Sequence, residues 1–178
     1  MKTKDLALSG IFLALLIICS WIIIPIGPVP VSLSVLAIFL LGAMLSPFNA
    51  IAVCCIYLLL GIMGIPVFSG FGAGIAKILG PTGGYLISYP FMAAAVAFAV
   101  KFGKKYNFYV LGMSIALLIC YTFGAAYLAI SLNITLKGAI ISGVVPFILI
   151  DIPKIVIASA LAYRLNIILS KQAARGNI

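Results

Sequence analysis

The sequence predicts an all-α integral membrane protein with six transmembrane helices and both termini in the cytoplasm. Three observations lead to this fold class. Of the 178 residues, 66% are hydrophobic and only 7% are charged, whereas about 25% of the residues of a soluble domain are charged. The apolar residues fall into six runs, and the basic residues collect at alternate ends of those runs. We therefore expect residues 1–178 to form a single transmembrane domain that is solvated mostly by lipid.

Each apolar run is a candidate span, because a helix needs about 20 apolar residues to cross a bilayer. In chain order the runs cover residues 6–26, 32–45, 48–65, 84–100, 108–132 and 146–169. The first run is too long for the apolar part of a secretory signal and lacks a small-residue cleavage site, so we expect it to stay as a helix. The second run is short for a span and meets the third at a tight turn formed by Ser46 and Pro47.

The basic residues assign the two sides of the membrane. One side carries Lys2, Lys4, Lys101, Lys104, Lys105, Arg164, Lys171 and Arg175, and the loops of the other side carry only Lys77 and Lys137. Positive residues favour the cytoplasmic side, so both termini are expected there. A net charge of +9 would suggest nucleic acid in a soluble protein. At helix ends it indicates topology signals and lipid headgroups instead.

The three connections on the predicted outer side are apolar and rich in glycine or proline. They cover residues 27–30, 66–83 and 133–145. Irregular backbone at membrane depth is tolerated only where protein or a polar cavity satisfies its hydrogen bonds. We therefore expect the three connections to fold back over the helices as parts of one lid or pocket.

Asp151 and Lys154 form the most unusual pair in the sequence, because they place two charges in the sixth run. A spacing of three puts both side chains on one face of a helix, and each charge costs about 2.5–3.5 kcal/mol at the centre of a membrane helix. One interpretation is a salt bridge that only fixes the helix. A second is a polar anchor in a ligand pocket. A third is a proton or ion relay, which the absence of histidine makes hard to build.

The glycine-rich stretch before the fourth run has two interpretations. Residues 80–85 read GPTGGY and could form a tight turn that presents N–H groups and a hydroxyl to a pocket. The glycines could equally serve only to let helices pack closely. No GxxxxGK[ST] motif is present, so the sequence predicts no ATPase activity of its own.

Enzyme chemistry and metal binding find no support in the sequence. The two carboxylates, Asp5 and Asp151, are predicted on opposite sides of the membrane, and there is no histidine for a catalytic triad. The four cysteines lie in apolar runs without the spacing of zinc ligands. We therefore predict no catalytic residue, no metal and no cofactor.

The first helix carries a stripe of small residues. Ala7, Gly10 and Ala14 recur at the spacing that permits close contact between helices in a membrane. The partner of this stripe could be another helix of the chain or another subunit.

Four segments together resemble a known family. Residues 28–33 read PVPVSL, residues 64–70 read GIPVFSG, residues 80–85 read GPTGGY, and residues 146–147 are followed by Asp151 and Lys154. In this order they resemble the BioY family, the biotin-binding S components of energy-coupling factor (ECF) transporters. The resemblance covers nearly the whole chain, and its most specific parts are the GPTGGY stretch and the Asp-x-x-Lys pair.

The resemblance implies the six-helix S-component fold in the plasma membrane of a bacterial cell. It implies capture of biotin from outside, and partnership with a transmembrane T component and two ATPases. Ala7, Gly10 and Ala14 would contact the T component. Asp151 and Lys154 would bind the ureido group of biotin, with Thr82, Gly83, Gly84 and Tyr85 nearby. Val29, Pro30, Phe68 and Phe71 would line the apolar part, and Lys77 is either a cation for the valerate carboxylate or a surface lysine.

Three residues depart from the family pattern. Ser34 stands where glutamine is usual, Ile150 where glycine often precedes the aspartate, and Pro153 where an aliphatic residue is usual. These departures bear on the ligand contacts more than on the fold. The departures at Ser34 and Ile150 leave open an S component for lipoate or a biotin precursor. An alternative of another class is a secondary carrier that uses Asp151 as a proton site.

Overall fold

The protein is a bundle of helices with a two-stranded hairpin and two short helices at one end. The computed structural model describes residues 3–25 and 29–174, with side chains as far as residue 171. Six longer helices form the bundle: α1 Thr3–Trp21, α2 Ser34–Met44, α3 Pro47–Ile62, α5 Gly83–Phe102, α6 Tyr106–Leu132 and α8 Val145–Ala174. They correspond in order to the six predicted runs. Lys2, Gly27, Pro28 and Arg175, which entered the predictions, lie outside the described residues.

Four of these helices are long and apolar enough to cross a membrane. Within the described residues they are Thr3–Trp21, Gly83–Phe102, Tyr106–Leu132 and Val145–Lys171. The helices α2 and α3 are apolar but have only 11 and 16 residues. At 1.5 Å per residue, their lengths are about 16 and 24 Å, against a hydrocarbon core of about 30 Å. The described chain therefore has the helices of a membrane protein, with four candidate spans and two shorter apolar helices.

Each of the three glycine- or proline-containing connections has structure of its own. In the first, β1 Ile23–Ile24 pairs antiparallel with β2 Val31–Ser32. The second contains α4 Ile75–Leu79, and the third contains α7 Leu136–Gly143. The hairpin and the two short helices could not be predicted from the sequence, because an element of two to eight residues is too short to show a period.

The core lies where α2, α3, α5, α6 and α8 meet. The most extensive contact joins α5 to α6, and α2 packs between α5 and α8. Fully buried aromatic and aliphatic side chains fill this centre, among them Phe39, Tyr57, Met92 and Met113. Many large apolar residues on the outer faces are exposed, such as Leu118 and Leu149, as expected of surfaces that face lipid.

Caps and turns explain where several helices begin. Ser46 precedes α3, and its hydroxyl accepts a hydrogen bond from the Asn49 N–H, with Pro47 at the first helical position. Thr135 caps α7 in the same way through the Gly138 N–H. The predicted tight turn between the second and third runs is thus confirmed. It consists of the capped start of α3, directly after the end of α2.

Candidate functional site

Asp151 and Lys154 lie side by side on one face of α8. The Lys154 ammonium nitrogen is 2.7 Å from Oδ1 of Asp151. Each residue has only 4% of its surface exposed. At this burial neither charge could persist alone, so each is retained by its contact with the other.

The pair also joins two other elements of the fold. The hydroxyl of Tyr121 in α6 donates a hydrogen bond of 2.9 Å to Oδ2 of Asp151. The ammonium of Lys154 donates a second bond of 2.8 Å to the backbone carbonyl of Ser32 in β2. Both carboxylate oxygens and the ammonium are therefore engaged, and the pair connects α8 to α6 and to the hairpin.

A cavity of about 630 Å³, its open mouth included, lies against this pair. It is bounded by α2, α5, α6, α8, the hairpin and the connection that contains α4. The lining residues are Val29, Pro30, Val31, Ser32, Val35, Phe68, Ser69, Lys77, Thr82, Tyr85, Leu86, Tyr89, Cys120, Tyr121, Phe147, Asp151 and Lys154. Eight residues predicted for the site thus share one cavity: Val29, Pro30, Phe68, Lys77, Thr82, Tyr85, Asp151 and Lys154.

The third connection reaches the same region through Tyr85. The hydroxyl of Tyr85 donates a hydrogen bond of 2.6 Å to the carbonyl of Gly143 at the end of α7, and its ring packs edge-on against Phe147. All three predicted outer connections therefore meet at one end of the bundle, as expected from their composition.

Phe71, which the resemblance places in the apolar wall, packs on α1 instead of lining the cavity. Its ring stacks on Trp21 at a centroid distance of 4.8 Å, is 62% exposed, and does not line the cavity. Trp21 also donates a hydrogen bond to the carbonyl of Pro66. Phe71 has a φ of 60°, whereas Phe68, the other aromatic residue of this connection, lines the cavity. Sequence spacing could not foresee this left-handed backbone conformation.

Gly83 and Gly84, which the resemblance places near the ligand, lie where helices pack closely. Neither residue lines the cavity. A Cβ on Gly83 would overlap the carbonyl of Ile78, and one on Gly84 would overlap Phe123 and Tyr127 of α6. Of the two interpretations of the glycine-rich stretch, close packing therefore accounts for these two positions. Thr82 does line the cavity, and its hydroxyl donates to the carbonyl of Lys77.

Ser34, one of the departures from the family pattern, is completely buried beside the cavity rather than in its wall. Its hydroxyl pairs with the hydroxyl of Ser32 and, at 2.8 Å, with that of Tyr89. These three hydroxyls form a closed polar cluster between the hairpin, α2 and α5. Ile150, another departure, does not line the cavity either.

Pro153, the third departure, lies inside α8 between the two charged residues. The helix begins at Val145, so Pro153 is well within it. Proline has no N–H, and the carbonyl of Leu149 therefore lacks its usual helical donor. The helix thus begins six residues before Asp151, which is about 1.7 turns.

Sequence analysis missed four lining residues of α5 and α6: Leu86, Tyr89, Cys120 and Tyr121. For Tyr89 a signal existed, because it follows Tyr85 by four residues and so shares its helix face. A buried tyrosine hydroxyl also needs a partner, which applies to Tyr121. Nothing local indicates that this partner is Asp151, thirty residues away.

The small-residue stripe on α1 is open. Ala7, Gly10 and Ala14 are all exposed, and a Cβ added to Gly10 would meet no atom within 4 Å. No other part of the described chain covers this stripe.

The site offers hydrogen-bond donors and acceptors rather than reactive groups. Within residues 3–25 and 29–174, no cluster of three potential metal ligands exists. A buried acceptor and a buried donor at one place, with apolar walls around them, suit the binding of a small ligand that has both amide-like and aliphatic parts.

Fold and site thus define a helical membrane protein with a pocket suited to a small ligand. The chain belongs to the BioY family, whose model matches residues 1–171. It is 40% identical to a protein named probable biotin transporter BioY from Pyrococcus horikoshii, over 93% of this chain and 98% of that one. It is 35% identical to the biotin transporter BioY of Thermotoga maritima, over 92% and 96% of the two chains.

One solved structure has the same fold. It is described as the S-component for biotin from an ECF-type ABC transporter, and it matches with a TM-score of 0.87 at 30% identity. The match covers 93% of this chain and 92% of the solved chain. The fold expected from the resemblance, that of an S component, is confirmed by this match.

Proposed function

We propose that this chain binds biotin with high affinity as the substrate-specific S component of an ECF-type transporter. It performs no chemistry of its own. Membership of the BioY family and the names of the relatives support the ligand. The observation that carries the proposal is the buried Asp151–Lys154 pair, which faces a cavity with largely apolar walls.

In the proposed complex, the ureido ring of biotin lies against this pair. The Asp151 carboxylate accepts hydrogen bonds from the ureido N–H groups, and the Lys154 ammonium donates to the ureido carbonyl. Val29, Pro30 and Phe68 cover the apolar rings and chain, with Thr82 and Tyr85 beside them. Lys77, which lines the same cavity, is available for the valerate carboxylate.

The remaining predicted site residues support the pocket from outside. Gly83 and Gly84 allow α5 to approach α4 and α6, and this approach positions Thr82 and Tyr85. Phe71 stacks on Trp21 and so holds the second connection against α1. In this proposal the ligand does not touch Gly83, Gly84 or Phe71.

The proposal includes six spans, a single domain and cytoplasmic termini in a bacterial plasma membrane. It also includes assembly with a T component and two ATPases through Ala7, Gly10 and Ala14. The open stripe on α1 supports this assembly, as does the absence of a phosphate-binding motif from the sequence. The ATPases would supply the energy that this chain cannot supply itself.

A titration of purified protein with biotin tests the proposal. We expect tight binding by the unchanged protein. Asp151→Asn should weaken it by on the order of tenfold to a hundredfold, because hydrogen bonds to a charged group contribute about 1.5–3 kcal/mol. The matched control is Asp5→Asn, the same change at the chain's other carboxylate. Binding that survives Asp151→Asn unchanged would overturn the site, and absence of binding by the unchanged protein would overturn the function.

The alternative ligands, lipoate or a biotin precursor, are tested by competition in the same titration. Neither Ser34 nor Ile150 lines the cavity, so the two departures that suggested another ligand do not change its wall.

The alternative of a proton-coupled carrier predicts uptake that stops with an uncoupler and continues when ATP is depleted. Both oxygens of Asp151 are already hydrogen-bonded, which favours the binding function over proton transfer.

A further inference from the structure

A second cavity lies at the other end of the bundle, between the ends of α5 and α8 and the start of α6. It measures about 770 Å³ with its open mouth included. Asn166, in its wall, follows Asp151 by fifteen residues on α8, which is about 22 Å along the helix. This cavity is therefore separate from the proposed biotin site.

The wall of this second cavity has an apolar and a polar part. Val100, Ile167 and Leu169 form the apolar part. The polar groups come from Lys104, Tyr109, Tyr163, Asn166 and Ser170, and the Ser170 hydroxyl already donates to the carbonyl of Ile167. A ligand that fills the cavity must therefore match both kinds of surface.

The buried hydroxyl of Tyr109 has a proton without an acceptor. The side-chain nitrogen of Asn166 donates to the carbonyl of Ala43 at 3.1 Å and to the Tyr109 hydroxyl at 3.0 Å. The carbonyl can only accept, which fixes the orientation of the amide, and the Tyr109 oxygen is then the acceptor of the second bond. Among the described residues nothing accepts the proton of this hydroxyl, although Tyr109 is only 2% exposed. Buried donors of this kind usually have a partner.

Two further donors line the same wall. The ring of Tyr163 packs edge-on against Tyr106 and Tyr109, but its hydroxyl makes no hydrogen bond within the described residues. Lys104 forms no ion pair within residues 3–25 and 29–174. Among the described residues, no carboxylate lines the cavity. The polar part thus presents donors and one positive charge, which call for an anion with several acceptor oxygens.

We propose that the second cavity binds the phosphate of an anionic phospholipid, with part of an acyl chain along the apolar wall. The phosphate oxygens accept hydrogen bonds from Lys104, Tyr109 and Tyr163. Val100, Ile167 and Leu169 cover the adjoining hydrocarbon. A free phosphate would satisfy the donors but leave this apolar wall uncovered, so a lipid matches the cavity better.

Native mass spectrometry of the detergent-purified protein tests this site. Titration with phosphatidylglycerol should give one retained lipid, held more tightly than phosphatidylcholine, whose choline group competes with Lys104 for the phosphate. Lys104→Gln should weaken the retained lipid by about fivefold. The matched control, Lys105→Gln, removes the neighbouring charge, which does not line the cavity, and should leave retention unchanged.

Tyr163→Phe provides a second variant that leaves the fold intact, because the hydroxyl it removes has no partner in the described chain. It should weaken lipid retention by about two- to tenfold. Equal retention of the two lipids, or equal losses in the Lys104 and Lys105 variants, would overturn the site. Displacement of the lipid by glycerol phosphate, in a manner dependent on Lys104, would assign the cavity to a free phosphate and overturn the lipid. None of these outcomes depends on whether the protein binds biotin.

Discussion

At the scale of single residues, the stability of the site depends on the neutrality of the Asp151–Lys154 pair. Both members are buried to the same extent, and each has one additional hydrogen bond to another element. Removal of one member leaves the other as an uncompensated charge, whereas removal of both leaves none. The pair therefore should be more sensitive to single than to double substitution.

Lys154→Met should lower the free energy of unfolding by about 3–5 kcal/mol, because it leaves a buried carboxylate without its cation. Combining it with Asp151→Asn should recover a large part of this loss. Thermal unfolding in detergent measures both effects. A double variant that is no more stable than Lys154→Met alone would contradict this account of the pair.

The two aromatic residues of the second connection provide another test. Phe68 is 1% exposed and lines the cavity, whereas Phe71 is 62% exposed and stacks on Trp21. Phe68→Leu should weaken biotin binding by about tenfold, in line with the apolar area that it removes from the ligand. Phe71→Leu should change the affinity by less than about twofold. A calorimetric titration of both variants decides, and a larger effect of Phe71→Leu would return this residue to the ligand wall.

At the scale of elements, two glycines on different helices have opposite surroundings. Gly84 lies where α5 touches α6, and Gly10 lies on the open stripe of α1. An added methyl group therefore has no room at the first position and free space at the second.

Gly84→Ala should destabilise the protein by about 1–3 kcal/mol, because the new Cβ pushes α5 away from Phe123 and Tyr127. Gly10→Ala, the same change, should be neutral or slightly stabilising, since alanine favours helix by about 1 kcal/mol over glycine. Unfolding midpoints of the two variants provide the comparison. Equal destabilisation would show that α1 packs more closely than the structure has it.

The open stripe should respond to a larger side chain in function rather than in stability. Gly10→Leu leaves the proposed biotin cavity untouched, so binding by the purified protein should be unchanged. Uptake by cells that also produce the T component and ATPases should fall strongly, because the leucine keeps the partner helix at a distance. Full uptake by this variant would place the assembly surface elsewhere.

At the scale of the whole molecule, the order of the six longer helices could be predicted from apolar runs alone. The Asp151–Lys154 face and the meeting of the three connections also followed from spacing and composition. The hydrogen bond from Tyr121 could not be predicted, because it depends on how α6 and α8 pack. The position of Phe71 depends on one left-handed backbone angle, and the short helices α4 and α7 have too few residues to show a period.

Six spans and cytoplasmic termini predict that Lys104 and Lys137 lie on opposite sides of the membrane. In a background without native cysteines, Lys137→Cys should react with a membrane-impermeant maleimide added to whole cells. Lys104→Cys should react only after the membrane is opened. Labelling of both positions in intact cells would exclude the proposed topology.

Pro153 makes the long last helix easier to bend at the level of the candidate site. Because Pro153 has no N–H for the carbonyl of Leu149, the resistance of α8 to bending is lower at this level. The part of α8 beyond the proline, as far as Ala174, is about 31 Å long. A change of about 10° in the bend at Pro153 would therefore move the far end of α8 by about 5 Å, roughly one helical turn. Asp151 and Lys154 flank Pro153, so a ligand that rearranges them acts next to the bend. A small displacement in the pocket then produces a larger displacement at the far end of α8.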